Sequence, residues 1–370
     1  MKVGTVKELK TGENRVGLTP SGAALIVSRG DEVLIETRAG ELSGFSDEDY
    51  RQAGAIIVAS AGEVWAKGDL VVKVKEPLTQ EFELLSERTV LFTYLHLAAA
   101  ELLTRELLRK RVTAIAYETI ELPDGSLPLL APMSAVAGKM AVQVGAHYLE
   151  RTSGGSGRLL GGVPGVPSAR VTVLGTGTVG MSAASVATGM GADVTAIGRN
   201  LAQLTHIDQA FHGRVRTIYA TPLSIAACVA RSDLVIGAVA VTGAKADKLI
   251  TREMVRRMAP GSVLVDVAID QGGCAETSRV TTHAEPIYEE EGIVHYCVAN
   301  MPGAVPHTST LALTNATLPY VVAIAAASDV RRMAQDGALR GGINTYAGHL
   351  TNEQVALAFG LPCERLDGLL

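Results

Sequence analysis

The sequence predicts an α/β fold with two doubly wound domains, a cleft between them, and long helices that join them. Short strands of about four to seven residues, rich in Val, Ile and Leu, alternate with helical stretches along the chain. This alternation occurs in two separate series, and a long helical segment follows each series. A chain of 370 residues is also too long for one ordinary core, so two domains are expected.

The first strand series lies in residues 1–130. Its predicted strands are VGTV, EVLIE, AIIVA, DLVVKVK, TVLFTYL and VTAIAYE. After the first of them, TPSGAALIVSRG predicts a helix with Thr19 as the N-cap, Pro20 at the first helical position and Gly30 at the end. Such buried strands separated by helices are typical of a parallel sheet.

The second series is flanked by two long predicted helices, SAVAGKMAVQVGAHYLER from Ser134 and TSTLALTNATLPYVVAIAAA from Thr308. Between them, a Gly-rich loop precedes the predicted strands RVTVLG, DVTAIG, VRTIY, DLVIGAV and SVLVDVA. This layout predicts that residues 131–307 form an inserted, dinucleotide-binding Rossmann-like domain. Residues 1–130 and 308–370 then form a discontinuous Rossmann-like domain for substrate and catalysis. The cleft predicted between two such domains is a common place for a ligand pocket.

Composition excludes several classes of function. The net charge of −5 and pI near 5.9 give no footprint for nucleic acid. The N-terminus MKVGTVKELK is charged where a signal peptide is apolar, and LPYVVAIAAASDV is too short to span a bilayer. The four cysteines lack CxxC or metal-ligand spacing. We therefore expect a cytoplasmic protein with reduced thiols, no membrane partner and no metal.

A glycine fingerprint, Gly175-x-Gly177-x-x-Gly180, follows a predicted strand and opens a predicted helix. The first glycine allows a tight turn, the second lets the backbone approach a pyrophosphate, and the third lets helix and strand pack closely. The N-terminus of the helix attracts the negative charge. In this context the motif predicts a dinucleotide site.

The end of the next strand bears on which dinucleotide binds. NAD sites usually have Asp or Glu there, whereas this chain has Gly198 followed by Arg199. Glycine removes the carboxylate that would repel a 2′-phosphate, and Arg199 can pair with that phosphate. The pattern therefore favours NADP or dual use. The alternative is that Arg199 is a solvated side chain and NAD binds more loosely.

Several long segments carry a resemblance to a known family. In order along the chain, KELKTGENRVGLTP, VVKVKEP, LFTYLHLAA, IAYETI, LPLLAPMS, GGVPGV, VLVDVAIDQGGC and VANMPGAVPHTSTLALTNATLPY resemble the signature segments of bacterial alanine dehydrogenases. The wider family includes the NAD-binding subunit of proton-translocating transhydrogenase and lysine-pathway dehydrogenases. The resemblance implies reversible oxidative deamination of L-alanine to pyruvate and ammonium with NAD or NADP. It also implies a two-domain subunit that assembles into a homo-oligomer, a hexamer.

Basic residues in the matching segments are candidates for binding substrate. Arg15 offers a bidentate fork for the carboxylate of alanine or pyruvate, and its alternative is a surface arginine paired with Glu13. Lys75 follows an apolar strand and can bind the substrate's carboxylate or oxo group. Lys73 lies on the same strand face by period two, so the pattern alone does not choose between the lysines. The family motif matches Lys75.

The resemblance extends to proton transfer and to the cofactor. His96 is implied as the general acid/base, and Asp270 as the group that orients the attacking water or holds the nicotinamide ribose; the alternative for Asp270 is a turn cap before Gly272. Asn300 is implied at the substrate, and Met133 lies with Ser134 at the hinge. Glu118 fits a structural strand-end acid equally well and stays outside the catalytic set. The full predicted cofactor set is Ser134, Gly175, Gly177, Thr178, Val179, Gly180, Gly198, Arg199, Val239, Asp270, Val298 and Met301.

The chain also departs from the family pattern at several positions: Ala135, the segment Val241–Lys248, Val280, His307 and Gln203. Most lie around the nucleotide domain, so they bear on cofactor choice more than on the reaction. Three other functions stay open from sequence alone. They are a transhydrogenase-like subunit that passes hydride to a partner, a nucleotide sensor without turnover, and a dehydrogenase for a related small amino acid such as glycine.

Overall fold

The computed structural model describes residues 1–239, 246–327 and 329–370. Within these residues the chain divides into two compact units, here termed the first unit and the second unit. The first unit comprises Met1–Met133 and Val305–Leu370, and the second comprises Ser134–Ala304. Each unit is an α/β structure with its own sheet.

The strands, in chain order, are β1 (Lys2–Thr5), β2 (Glu32–Glu36), β3 (Ile56–Val58), β4 (Leu70–Val72), β5 (Val90–Thr93), β6 (Thr113–Ala116), β7 (Arg170–Leu174), β8 (Asp193–Gly198), β9 (Arg216–Tyr219), β10 (Leu234–Gly237), β11 (Val263–Asp266), β12 (Ile287–Glu290), β13 (Ile293–Tyr296), β14 (Ile343–Tyr346) and β15 (His349–Leu350). The α-helices are α1 (Pro20–Ser28), α2 (Asp47–Gln52), α3 (Ala61–Lys67), α4 (Glu101–Arg109), α5 (Ala131–Tyr148), α6 (Thr178–Gly189), α7 (Leu201–Ala210), α8 (Pro222–Val229), α9 (Arg252–Arg256), α10 (Pro306–Ala326), α11 (Val330–Met333), α12 (Gly337–Gly342) and α13 (Glu353–Phe359).

Among the described residues, the first unit has an eight-stranded sheet in the order β15-β14-β6-β5-β4-β1-β2-β3. Strands β1 to β6 pair in parallel, while β14 and β15 form an antiparallel edge. The parallel part is doubly wound, and its strand order reverses between β1 and β4. Ligands of such sheets bind outside the carboxyl ends of the strands at this reversal. The segments that follow β1 and β4 therefore form the expected ligand site of this unit.

The second unit repeats this arrangement. Within its described residues, its seven-stranded sheet has the order β12-β13-β11-β10-β7-β8-β9, with only β12 antiparallel to its neighbour. The order reverses between β7 and β10, so the segments that follow those strands are its expected ligand site. The predicted fold class, two Rossmann-like doubly wound α/β structures, is confirmed in both sheets.

Local sequence explains helix α1. Thr19 caps it by accepting a hydrogen bond at Oγ1 from the Gly22 amide at 3.2 Å, and Pro20 occupies the first position. After the helix, the chain turns at Gly30 with φ of +90°, a conformation that glycine adopts without strain. The helix predicted from these residues is confirmed.

Other boundaries differ from those the sequence predicts. Strand β4 ends at Val72 instead of continuing to Lys75, because the Glu8 carboxylate accepts the amides of Val74 and Lys75 in place of a neighbouring strand. Helix α5 begins at Ala131 instead of at Ser134. Its second residue is a proline, which the first turn of a helix tolerates. The pattern also missed strands β12 to β15, of which β12 and β15 lie at the sheet edges.

Helix α10 buries one face, including Leu313, Val321 and Ile324. By length and composition alone it is also apolar enough to cross a membrane, and it is the single helix of that kind in the described part of the chain. Core helices of globular proteins pass the same test. In the first unit, α10 packs against α1 and β4.

Candidate active site

Arg15 lies in the segment that follows β1, at the reversal of the first sheet. Its side chain is 2% exposed, so the alternative of a surface arginine is wrong. Its Nε donates to Glu13 Oε1 at 2.6 Å and its Nη2 donates to Oε2 at 2.5 Å. Burial opposes both charges, but the mutual hydrogen bonds and attraction outweigh it, raising the pKa of Arg15 and lowering the pKa of Glu13. Both groups are therefore ionised at neutral pH.

The two lysines that follow β4 have different surroundings. The fully buried Lys73 Nζ lies 3.0 Å from Glu81 Oε1 and 3.4 Å from Glu8 Oε2. Lys75 is half-buried, and its Nζ has no hydrogen-bond partner among the described residues. Burial and the positive charge of Arg15 lower the pKa of Lys75, against the opposing charge of Glu13. Lys73 is thus neutralised by structural carboxylates, while Lys75 adds positive charge near Arg15.

His96 follows β5 in a left-handed conformation, with φ of 50°. The Glu118 carboxylate accepts the amides of His96 at 2.5 Å and Leu95 at 3.2 Å, which holds this turn. The His96 ring stacks parallel to Tyr94 at 5.8 Å, and its Nδ1 lies 3.9 Å from Glu118 Oε1. Glu118, which the sequence left outside the catalytic set, therefore positions the histidine.

These contacts place three predicted residues of the first unit around one polar site. The positive charge of Arg15 acts to lower the pKa of both Lys75 and Tyr94. The ring of His96 stacks on the ring of Tyr94. Arg15 Nη1 also donates to the Met133 sulfur at 2.9 Å. The site offers cations for a carboxylate, together with the imidazole of His96, whose side chain is 46% exposed.

The second unit has a cavity of about 390 Å³ at the reversal of its sheet. Of the predicted cofactor residues, those that line it are Ser134, Gly175, Gly177, Thr178, Val179, Gly198, Arg199 and Val239. Residues outside the predicted cofactor set also line it: Leu174, Thr176, Ile197, Asn200, Gln203, Ala220, Ala238, Asp247 and Leu249. For Thr176, Asn200, Ala220 and Ala238 the signal in the sequence is position, since each lies within two residues after a strand.

Each glycine of the fingerprint has a distinct steric reason. Gly175 has φ of +115°, and a Cβ there would lie 2.3 Å from the Ala238 oxygen. A Cβ at Gly180 would lie 1.9 Å from the Gly175 oxygen, so this glycine allows α6 to approach β7. Gly177 faces open space at the N-terminus of α6, where unpaired amides attract a phosphate. The fingerprint glycines and the amides at the N-terminus of α6 together form a site that fits the pyrophosphate of a dinucleotide.

Gly198, at the end of β8, is covered by a neighbouring side chain. A Cβ there would lie 2.6 Å from both Oγ1 and Cγ2 of Thr176. Thr176 Oγ1 donates to Gln203 Oε1 at 2.7 Å, which fixes the threonine over the glycine. Arg199 is exposed, and no hydrogen bond or ion pair engages its side chain within the described ranges.

The two aspartates after β11 have separate roles. Buried Asp266 accepts hydrogen bonds from the amides of Ala268, Cys274 and Ala275 and from the Ser278 hydroxyl, and so builds the turn. The sequence offered a turn cap as the alternative role for Asp270. In the structure that role belongs to Asp266, the last residue of β11.

Asp270 is exposed, and its Oδ1 accepts the amide of Asn300 at 3.3 Å. Two predicted residues therefore meet here. Val298 and Met301 lie close to Asn300 in sequence. Both are buried, and they do not line the nucleotide cavity. Residues 241–245 of the segment Val241–Lys248 lie outside the described residues. Among the described residues, no group of three or more His, Cys, Asp or Glu could hold a metal ion.

A doubly wound sheet with a dinucleotide fingerprint, in a chain that also carries a basic pair and an exposed histidine, defines a nicotinamide-dependent oxidoreductase. Two family models match most of the chain: "Alanine dehydrogenase/PNT, N-terminal domain" over residues 4–137, and "Alanine dehydrogenase/PNT, C-terminal domain" over residues 141–353. The chain belongs to this alanine dehydrogenase/PNT family.

Similar proteins match over their full length. An alanine dehydrogenase from Halomonas elongata is 56% identical over 361 residues, which is 98% of this chain and 97% of the relative. Alanine dehydrogenase 2 from Staphylococcus aureus is 53% identical over 371 residues and covers 100% of both chains. A solved structure of an L-alanine dehydrogenase superimposes with a TM-score of 0.94 at 50% identity, covering 97% of this chain and 99% of that one.

Proposed function

We propose that this protein catalyses the reversible oxidative deamination of L-alanine to pyruvate and ammonium with a nicotinamide dinucleotide. The observation that carries the proposal is the polar site of Arg15, Lys75 and His96, in a chain whose full-length relatives are alanine dehydrogenases. A small 2-oxo acid needs cations for its carboxylate and a proton carrier near its carbonyl, and this site supplies both.

The substrate carboxylate binds to Arg15, whose guanidinium plane is fixed by Glu13. Lys75 binds the carboxylate or the oxo group and stabilises negative charge on the oxygen. The lowered pKa of Lys75 makes it a better proton donor than an exposed lysine. Asn300 adds a polar contact to the substrate.

His96 acts as the general acid/base, because an imidazole exchanges protons near neutral pH. Glu118 orients the turn that carries it. Asp270 would orient the attacking water or hold the nicotinamide ribose, and Met301 would lie beside the nicotinamide. When bound, the nicotinamide accepts or donates the hydride.

The cofactor is NADP, or NAD and NADP both. Gly198 leaves no carboxylate to repel a 2′-phosphate, since Thr176 fills the space of a side chain there. Arg199 is exposed at the rim of the same cavity and is available to pair with that phosphate.

The proposal includes a homo-hexamer in the cytoplasm. All four cysteines are free thiols, which fits a reducing compartment. Sedimentation should then give a mass of six times 38.6 kDa, and a monomer or dimer would overturn the hexamer.

Absorbance at 340 nm tests the activity. The protein is mixed with pyruvate and ammonium, and with NADH or NADPH in parallel cuvettes. Consumption of either nucleotide supports the dehydrogenase, and consumption of NADPH supports the proposed cofactor choice. If neither is consumed with pyruvate, the proposal fails, and consumption with glyoxylate alone would identify a dehydrogenase for glycine instead. A transhydrogenase-like subunit has less support, because it needs no binding site for a small oxo acid.

A further inference from the structure

A second cavity of the second unit lies away from the nucleotide site. Its volume is about 710 Å³, and it shares no lining residue with the cavity around Gly175. Arg170, Asp193 and Arg216, which line it, are the first residues of β7, β8 and β9. It therefore opens at the amino ends of these strands, whereas the dinucleotide fingerprint follows their carboxyl ends. The proposed reaction uses none of its residues.

The floor of this cavity is polar where a parallel sheet is usually aliphatic. Thr172 of β7 pairs with Thr195 of β8, which pairs in turn with Arg216 of β9, so the three side chains form one row on one face. Strands buried on both faces normally carry Val, Ile or Leu at such positions. Here Thr172 Oγ1 accepts from the Ser232 hydroxyl at 2.7 Å, and Thr195 Oγ1 accepts from Arg216 Nη1 at 3.4 Å.

The side chains that line the cavity are mainly positive, whereas the chain as a whole is negative. Arg170, Arg216 and Arg231 line it, against the single charge of Asp193 among the described lining residues. The whole chain has a net charge of −5. Asp193 lies 3.9 Å from Arg216 Nη2, which is a loose contact. Nearby Asp233 is already engaged, because it accepts the Arg170 amide at 2.8 Å and pairs with Arg158 at 2.9 Å.

In the part of the chain that the structure describes, no acidic side chain pairs with the guanidinium groups of Arg170 and Arg231. Neither side chain has a hydrogen bond there either. Arg216 and Arg231 also act electrostatically on the half-buried Cys228 thiol, whose pKa is raised by burial and lowered by these two charges. Both cations are thus close to the thiol in the wall of the cavity.

We propose that this cavity binds a small anion with two or more phosphate groups, at a site separate from the dinucleotide cavity. Three guanidinium groups exceed what a single phosphate needs, and arginine forks match phosphate oxygens. The hydroxyls of Thr172 and Thr195, which accept the hydrogen bonds described above, each keep a hydrogen to donate. The volume lies within the range of about 300–1,000 Å³ that is typical for small-molecule sites.

Calorimetric titration with inorganic pyrophosphate tests the proposal. The full chain is first saturated with NADH, so that the dinucleotide cavity is occupied. We expect one pyrophosphate per subunit, with tighter binding than inorganic phosphate. Titration with ADP under the same conditions shows whether an organic group adds affinity, which would identify a nucleotide as the ligand in place of a free polyphosphate.

Arg170→Gln combined with Arg231→Gln should weaken pyrophosphate about a hundredfold, because each charge-assisted contact is worth about tenfold or more. Arg257→Gln with Arg331→Gln, which removes equal charge elsewhere, should leave the affinity unchanged. If the double variant fails to fold, Arg231→Gln alone should still weaken binding about tenfold.

The proposal is overturned by any of four results. These are an absence of pyrophosphate binding at millimolar concentration, binding that saturating NADH abolishes, and equal weakening in the control double variant. The fourth is a change in sedimentation mass in the Arg170→Gln, Arg231→Gln variant alone, which would assign the cavity to a second copy of this chain.

Discussion

The Glu13 carboxylate holds the buried Arg15 guanidinium in a fixed plane, through hydrogen bonds of 2.6 Å from Nε and 2.5 Å from Nη2. A buried ion pair gains little net stability, because both charges must first lose their water. Its clearer effect is geometric. A guanidinium that is bound along one edge keeps its orientation beside Lys75, so the positive field toward the substrate is organised before the substrate arrives.

Replacing Glu13 with glutamine should lower the free energy of unfolding by about 1.5–3 kcal/mol, since a hydrogen bond to a charged group is weakened in a buried position. The loss can be measured by urea denaturation at neutral pH. Glu41→Gln, which alters an exposed ion pair with Arg38, is the matched control and should have almost no effect. Equal losses in both variants would contradict the importance of burial.

The same pair predicts a dependence on pH. The folded pKa of Glu13 lies below its unfolded value, so its contribution to stability is complete above the unfolded pKa of about 4.3 and disappears as pH falls through the folded pKa. The stability gap between wild type and Glu13→Gln should therefore be constant around pH 7 and shrink below about pH 4. A gap that stays constant at low pH would show that ionisation of Glu13 contributes nothing.

Lys75 should lose its charge at a lower pH than an ordinary lysine, because burial and Arg15 lower its pKa from 10.5. Affinity of the NADH-bound protein for pyruvate should then fall as pH rises through that lowered pKa. This affinity can be measured from the fluorescence of the bound NADH in the absence of ammonium, whose own titration would interfere. In Lys75→Arg, whose guanidinium stays charged above pH 12, affinity should persist to higher pH. The same alkaline midpoint in both proteins would exclude Lys75 as the titrating group.

Substitution of His96 with alanine should lower turnover by about 10²–10⁴, the usual contribution of a general acid/base. NADH binding should be unchanged, since the nucleotide cavity is lined by residues of the second unit. His147→Ala, at a 58% exposed side chain, is the control and should retain full turnover. Near-normal turnover in His96→Ala would remove this residue from the mechanism.

The features that the sequence predicted correctly depend on local rules. Thr19, Pro20 and Gly30 mark helix α1 because capping and left-handed turns involve only neighbouring residues. The glycine fingerprint was identified for the same reason. Strand β14 was missed, because its pairing with β6 depends on a distant segment rather than on its own composition.

The candidate site was predicted less completely, since it depends on remote partners. The strand pattern did not distinguish Lys73 from Lys75, and only the family motif favoured Lys75; the structure adds that Glu8 and Glu81 neutralise Lys73. Likewise, the importance of Glu118 comes from its hydrogen bonds to a turn that lies more than twenty positions away in sequence. Motif spacing records which residue types are present, whereas these distinctions depend on three-dimensional contacts.

The steric role of Gly180 gives a stringent test of the fingerprint. Gly180→Ala would place a methyl group 1.9 Å from the Gly175 oxygen, so the strand and helix must separate. We expect a loss of about 1–3 kcal/mol in the free energy of unfolding together with weaker NADH binding. Gly189→Ala in the same helix faces open space and should stabilise the protein by up to about 1 kcal/mol. Similar behaviour of the two variants would refute the packing argument.

In the proposed function, cofactor choice depends on Arg199, which lies beside a glycine that has no room for a carboxylate. Arg199→Ala should weaken NADPH about 10- to 100-fold, the equivalent of one charge-assisted hydrogen bond, and leave NADH almost untouched because NADH has no 2′-phosphate. Dissociation constants for both nucleotides, measured by fluorescence, give the comparison, with Arg257→Ala as the control for loss of charge. A selective loss of NADPH would assign the 2′-phosphate to Arg199. Equal losses for both nucleotides would show that Arg199 supports the cavity without selecting its ligand.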